Sequence, residues 1–320
     1  MKKQISKWLS ILLPIALGVF LIIYTYNKFT PQQLVEIKFQ FKNAEYKYIL
    51  LSLLFGFVAL LSRAYRWSFT LEPLGYQPKL LNTFMAVCVG YFMNMTIPRS
   101  GEISRALVVK KYEEIPFDKG FGTIIAERIV DMFILLSFIA TAFFLQYEIF
   151  ESFVLDKISP KQLLFLGIIG LIGLLAFVLI FKYSKNQKIV AIKHKIAGLL
   201  EGFWSITKMD KKWAFLAHTL IIWGSYLVMF YVTIFALPET SNLSFNAVII
   251  AFVVGGLAIT LTNSGFGAYP FLIANILLFY NIPETAGNAF GWIVWTSQTL
   301  MIVILGTLSF LFLPLLNKNK

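Results

Sequence analysis

From Trp213 to Asn317 the chain runs for 105 residues without one Lys or Arg. Ordinary soluble domains are roughly 25% charged, so a stretch of this length and composition has no way to cover a globular surface. It fits helices whose outer faces meet lipid. The rest of the chain agrees: 58% of all residues are hydrophobic and 14% are charged. Apolar runs of about 20 helical residues recur, the length needed to cross roughly 30 Å of hydrocarbon. The chain reads as an all-α polytopic membrane protein with one integral membrane domain over residues 1–320.

Six segments have the length of full spans: Trp8–Tyr26, Tyr48–Phe69, Phe117–Tyr147, Gln162–Tyr183, Trp213–Phe235 and Ala286–Leu315. The first follows Lys2, Lys3 and Lys7 and runs on without a small-residue cleavage site, so it reads as a retained helix rather than a signal peptide. Two further apolar regions are broken in the middle. Leu81 to Lys111 breaks at Ile97-Pro98-Arg99-Ser100-Gly101, and Phe245 to Tyr280 breaks at Asn263-Ser264-Gly265-Phe266-Gly267. An arm such as Asn82–Asn94 reaches only about 20 Å at 1.5 Å per residue, so both regions are expected as re-entrant hairpins.

Charge sets the orientation. The loop from Lys182 to Lys212 carries eight lysines, and by the positive-inside rule it lies on the cytoplasmic side of the cell (inner) membrane, as do both termini. The outer loop with Lys28, Lys38, Lys42 and Lys47 runs against the rule, although Glu36 and Glu45 accompany these lysines. Residues 184–212 form a basic cytoplasmic loop, and Ile189–Ile206 has the apolar spacing of an interfacial helix or of a soluble cap. The run Ile37–Lys42 alternates with period two and is too short to separate strand from helix. Each half then holds two spans, a hairpin and a third span, an inverted repeat with halves 1–150 and 160–315. Asn94 lies 28 residues after Arg66, and Asn263 lies 28 after Phe235, which suggests the register.

The net charge of +12 alternates with the spans, which fits orientation and anionic lipid better than nucleic acid. Cys88 is the single cysteine, and His194 and His218 have no cysteine neighbours, so no metal centre is expected. No nucleotide, nucleophile or zinc motif occurs, and neither catalytic residues nor a cofactor are assigned.

The ionisable residues Arg99, Glu102, Arg105, Glu127, Arg128 and Asp131 stand beside or within apolar segments, where an Arg or Asp at a helix centre costs about 2.5–3.5 kcal/mol. Pro98 and Gly101 should end one helix near Asn94 and let another start near Ser100, with Ser100 as the capping acceptor. Gly265 and Gly267 free the second break, and Pro270 suits the first turn of a helix. Two helix N-termini meeting there would suit phosphate or carboxylate; the alternative is that the breaks only end buried helices. Glu127 and Asp131 share a helix face, Arg128 and Asp131 can pair, and either carboxylate can meet Arg99 or Arg105. Those ion pairs serve architecture or substrate handling. Arg63 and Arg66, with Trp67, are expected at the inner interface as snorkelling anchors or as the first contact for arriving headgroups.

The motif Arg63-x-x-Arg66-Trp67, then Gly75, Asn94-x-x-x-Pro98-Arg99-x-Gly101-Glu102-x-x-Arg105 and Glu127-Arg128-x-x-Asp131 resembles the lysylphosphatidylglycerol synthetase transmembrane-region family, over roughly residues 10 to 310. That family includes the flippase portion of the bacterial multiple peptide resistance factor. The resemblance implies a polytopic lipid-handling fold with re-entrant hairpins that moves charged lipids between leaflets. It does not imply lysyl transfer, which in fused relatives belongs to a separate soluble domain. Many relatives have a glutamate after the Gly-rich turn of the second hairpin, where this chain has Gly265-Phe-Gly267-Ala-Tyr269-Pro270. The expected function is a lipid transporter or flippase for an amphiphile with an anionic or zwitterionic headgroup, membrane phospholipid or lipid-linked. In it Arg99, Ser100, Arg105, Asn94, Asn263, Gly265 and Gly267 contact substrate, and Glu102, Glu127, Arg128 and Asp131 balance charge. The alternatives are a membrane-embedded enzyme of lipid or lipid-linked glycan modification and a non-catalytic partner that presents lipid to a separate enzyme.

Overall fold

The apolar runs become helices in the computed structural model, which describes residues 2–147, 186, 189–190 and 209–318. Ten α-helices are formed among these residues: α1 (Lys2–Lys28), α2 (Pro31–Asn43), α3 (Tyr46–Leu71), α4 (Leu80–Thr96), α5 (Gly101–Glu113), α6 (Phe117–Leu145), α7 (Lys212–Thr233), α8 (Phe245–Leu261), α9 (Ala268–Leu278) and α10 (Glu284–Leu316). Among the described residues four segments are long and apolar enough to cross a membrane: Tyr46–Leu74, Phe117–Leu145, Lys212–Ala236 and Glu284–Leu316. The expected first span lies within α1. The expected span Gln162–Tyr183 and the loop helix Ile189–Ile206, apart from its first two residues, lie outside the described residues.

The chain divides into two units, Met1–Glu127 with Lys211–Lys320, and Arg128–Asp210. In the first, the long helices α3 and α7 pack along each other, α4 packs on α5 and on α10, and α9 packs on α10. Its largest apolar core gathers Phe230, Ala251, Ile273 and Phe290 from α7, α8, α9 and α10. A second core, with Trp67, Ala86, Ala106 and Ile124, joins α3, α4, α5 and α6. Outward residues such as Leu50, Leu220 and Leu261 are exposed and apolar, as lipid-facing positions require. In the second unit, α6 continues from Arg128 to Leu145, and its hydroxyls turn back on the helix, as in Ser137 Oγ donating to Ile134 O at 2.7 Å.

The Ile37–Lys42 run is helical. Thr30 and Gln33 form a capping box and Pro31 takes the first turn of α2, start signals stronger than a short period-two pattern. Its period-two look comes from a helix that buries only Ile37 and Gln40.

Several helix boundaries recur at one fixed offset. Leu80–Thr96 and Phe245–Leu261 are both 17 residues long, and a shift of 165 positions, from Leu80 to Phe245, superposes their starts and ends. The same shift carries the end of α5, Glu113, onto the end of α9, Leu278. It also carries Arg99 onto Ser264, which share a left-handed backbone at φ 62° and 53°. At this offset Asn94 falls on Ile259, four residues before Asn263.

Candidate functional site

The centre of the site is Glu127 on α6. Its side chain is fully buried, with one oxygen 2.9 Å from Arg105 Nη1 and the other 3.8 Å from Arg66 Nε. Arg105 lies on α5 and Arg66 on α3, so one carboxylate ties three helices together. The Arg105 guanidinium stacks over the Trp67 ring with its carbon 3.8 Å from the centroid, and Trp67 Nε1 donates to Thr123 Oγ1 at 2.9 Å. Thr123 is one turn before Glu127 on α6. Arg66 is held from its other side by α7: Nη1 donates to Thr219 Oγ1 at 3.1 Å, and the guanidinium lies 5.2 Å from the Phe215 ring centroid. Planar guanidinium groups suit this combination of ion pair and ring stacking better than ammonium.

Arg63 and Arg66 are therefore not interface anchors. Arg63 is 2% exposed and Arg66 0%, and Arg63 lies over the Tyr91 ring at 5.9 Å, with Tyr91 and Tyr226 hydroxyls 3.0 Å apart. Nothing places either arginine where headgroups would first arrive. A signal was present: Arg63, Arg66 and Trp67 are spaced i, i+3, i+4 and share one face with Ala59, so the face that buries the small alanine buries the charges too.

The first hairpin tip departs from the sequence reading in its capping. Helix α4 runs on past Asn94 to Thr96. Ser100 is the N-cap residue of α5 but accepts no cap bond; its hydroxyl instead donates to Met93 O at 2.9 Å and Ile97 O at 2.7 Å. The acceptor for α5 is Asn94, whose Oδ1 takes the Gly101 N–H at 2.7 Å. Gly101 is required there, since a Cβ would run into Gly90 O and the Asn94 side chain. The first free amide of α5 is thus occupied, and half-buried Glu102 already stands in its positive first turn. A phosphate on the Ser100 amides would have to displace both. Arg99 is exposed at the tip, apart from the Glu127 cluster.

The two tips touch. Asn263 Nδ2 donates to Met95 O at 3.2 Å and Ser264 Oγ to Asn94 O at 3.4 Å, while Trp295 Nε1 on α10 donates to Ser264 O at 2.9 Å. Asn263 is buried and its Oδ1 has no hydrogen-bond partner. Gly265 and Gly267 both have positive φ, 77° and 67°, and Gly267 lies so close to Gly18 O of α1 that no side chain fits. Pro270 falls in the first turn of α9.

In the second unit, Arg128 Nη1 lies 3.6 Å from Asp131 Oδ2, the pairing that their three-residue spacing predicts. Asp131 is buried. Among the described residues no group of His, Cys, Asp and Glu could hold a metal ion.

Long apolar helices around a buried guanidinium–carboxylate cluster, with two broken helical pairs meeting tip to tip, define a multi-pass helical membrane protein with a polar centre. The chain belongs to the lysylphosphatidylglycerol synthase TM region family, whose match covers residues 11–306. It is 25% identical over 304 residues to a UPF0104 membrane protein of Methanocaldococcus jannaschii, covering 85% of this chain and 86% of the relative. A UPF0104 membrane protein of Pyrococcus horikoshii is 23% identical over 254 residues, 68% of this chain and 75% of that one. No solved structure matches the chain.

Proposed function

We propose that this protein moves an amphiphile with an anionic or zwitterionic headgroup between the leaflets of the cell membrane, with both termini cytoplasmic. The observation that carries the reading is the contact of the two hairpin tips, Asn263 to Met95 and Ser264 to Asn94, between segments that correspond under one register. Transporters built as inverted repeats place their sites where such broken helices meet, near the bilayer midplane. The hairpin arms support a re-entrant path: α5 and α9 have 13 and 11 residues, about 20 Å and less at 1.5 Å per residue.

In this mechanism exposed Arg99 meets the headgroup first, and Asn94 and Asn263 offer neutral hydrogen bonds at the tips. Glu127 holds Arg105 and Arg66 in the empty state. A lipid phosphate competes with Glu127 for Arg105, and rocking of one half against the other opens the site to the opposite leaflet. Glu102 balances the charge around this exchange. Membership of a family named for lysylphosphatidylglycerol synthesis supports a lipid as the cargo.

The test is leaflet translocation of fluorescent phospholipids in proteoliposomes, with dithionite quenching as the readout. Arg99→Gln that folds normally is expected to slow translocation severalfold. A folded Arg99→Gln that moves lipid at the wild-type rate sinks the mechanism. Mass analysis of the same lipids reads the enzyme alternative, which demands a covalently changed product once candidate donors are added.

A further inference from the structure

The first unit contains a cavity of about 360 Å³ between α1, α2, α9 and α10, within the roughly 300–1,000 Å³ range of ligand pockets. Its walls include Thr25, Phe29, Ile37, Pro270, Asn288 and Trp292, and no lining residue carries a charge. The cavity shares no residue with the Arg66–Glu127–Arg105 cluster. Asn288 is 4% exposed and its Nδ2 has no hydrogen-bond partner. A buried donor left unmade is costly, so this amide marks where an acceptor oxygen belongs. Water alone is a poor occupant of so apolar a space, because a buried water needs two to four polar partners. Of the other polar side chains in the wall, the Thr25 hydroxyl already donates to Leu21 O at 2.7 Å.

We propose that this cavity holds one acyl chain of a membrane phospholipid, with the ester carbonyl of that chain accepting from Asn288 Nδ2. The occupant comes from the bilayer, because the outward neighbours Ile23 and Tyr24 on α1 and Val35 and Phe39 on α2 are exposed and apolar. It is not a headgroup, since the walls offer no countercharge. The repeat gives the assignment a second support. The shift of 165 positions that aligns α4 with α8 carries Arg105 onto Pro270, Glu127 onto Trp292 and Thr123 onto Asn288. The cavity therefore occupies in one half the place that the charged cluster occupies in the other. Thr123 has the Trp67 indole as its donor, whereas the position corresponding to Trp67 is Val232, which has no donor to offer. This inference rests on the lipid reading above but concerns the chain, not the headgroup.

The experiment uses the purified full chain in liposomes of phosphatidylglycerol and phosphatidylethanolamine doped with a phospholipid bearing a mid-chain diazirine. After irradiation, labelled peptides are mapped. Wild type is expected to be labelled on the segments that carry Phe29 and Trp292, with competition by unlabelled lipid. Leu34→Trp, which fills the cavity, should abolish that labelling, and Asn288→Leu should reduce it about fivefold, the factor one neutral hydrogen bond is worth. The thermal midpoint of each variant confirms that it folds. Labelling confined to outward residues such as Leu50 and Leu220, or unchanged in Leu34→Trp, overturns the proposal, as does crosslinking to a second copy in place of lipid. Equal labelling of Asn288→Leu and wild type overturns the assigned contact. Because labelling needs no transport, failure here with translocation intact removes only the cavity, and labelling without translocation removes only the transport reading.

Discussion

Replacing Glu127 by Gln tests whether the buried cluster holds the fold together. The substitution keeps the shape and removes the carboxylate that faces Arg105 at 2.9 Å and Arg66 at 3.8 Å. A unit charge pair about 4 Å apart attracts by about 4 kcal/mol at an effective dielectric of about 20, but desolvation of both ions offsets most of that gain. What the mutation exposes is the cost of breaking one buried ion pair, about 3–5 kcal/mol. Domains of 150–250 residues shift by about 2–4 °C per kcal/mol, and this larger chain belongs at the low end, so the midpoint should fall by about 6–10 °C. Cys88 supplies the assay: it is the chain's single cysteine and is 1% exposed, so a thiol-reactive dye in detergent reports unfolding. Arg105→Gln and the double variant complete a cycle. Coupled neighbours deviate from additivity by about 0.5–3 kcal/mol, and the double variant should melt at least about 3 °C higher than the sum of the single effects predicts. Additivity within about 1 °C, or an Glu127→Gln protein that melts with wild type, refutes the reasoning.

Three further outcomes follow from particular contacts. Gly101→Ala drives a methyl into Gly90 O and the Asn94 side chain; overpacking of this kind costs about 1–3 kcal/mol, read as a lower midpoint in the dye assay. Arg99→Gly relieves a left-handed backbone at φ 62°, which costs a non-glycine residue about 1–2 kcal/mol. Its midpoint should stay level or rise while translocation in proteoliposomes slows, separating the side chain from the turn. Asn82 and Asn317 exchange amide hydrogen bonds at 2.9 and 3.0 Å, tying the start of α4 to the end of α10, and Asn82 also donates to Glu113. Asn82→Leu leaves the partner amide unsatisfied at about 1–3 kcal/mol, and hydrogen exchange at the C-terminal turns of α10 should speed up.

The helices and the two breaks were legible because hydropathy and Pro/Gly chemistry are local. The Arg105–Glu127 pair was one of several that spacing allowed, and choosing it required knowing that α5 lies against α6. The capping at the first tip was misread for a different reason. Ser100 has the residue type of a cap, but the tight Gly90–Gly101 approach brings Asn94 within reach of the Gly101 amide first, and no sequence rule weighs a side chain seven residues back. Arg63 and Arg66 were misplaced because hydropathy treats a charge near a helix end as a surface charge. Here Thr219 and Phe215 of α7 meet the Arg66 guanidinium, and partners on a helix so far along the chain leave no mark on the local sequence. Thr219, Phe215 and Thr123 are for that reason the residues sequence reasoning missed.

Under the proposed repeat, the two halves differ in what they bury. A buried ion cluster is expensive: each desolvated ion loses several kcal/mol of hydration that only close geometry recovers. One half bears that cost at Arg66, Arg105 and Glu127. At the 165-residue offset these positions become Tyr231, Pro270 and Trp292, none of them charged, and Pro270 and Trp292 line the apolar cavity between α9 and α10 on one side and α1 and α2 on the other. Two chemically equal halves would present the same groove to both leaflets and treat headgroup and chain alike. If the proposed cargo engages both places, its headgroup pairs with the charged half and its chain with the apolar one, and the reverse placement would set a phosphate against Trp292. Inserting Arg at 270 and Glu at 292 should therefore remove that preference, not duplicate the site, since neither new charge would have the Trp67–Thr123 support that Arg105 and Glu127 rely on.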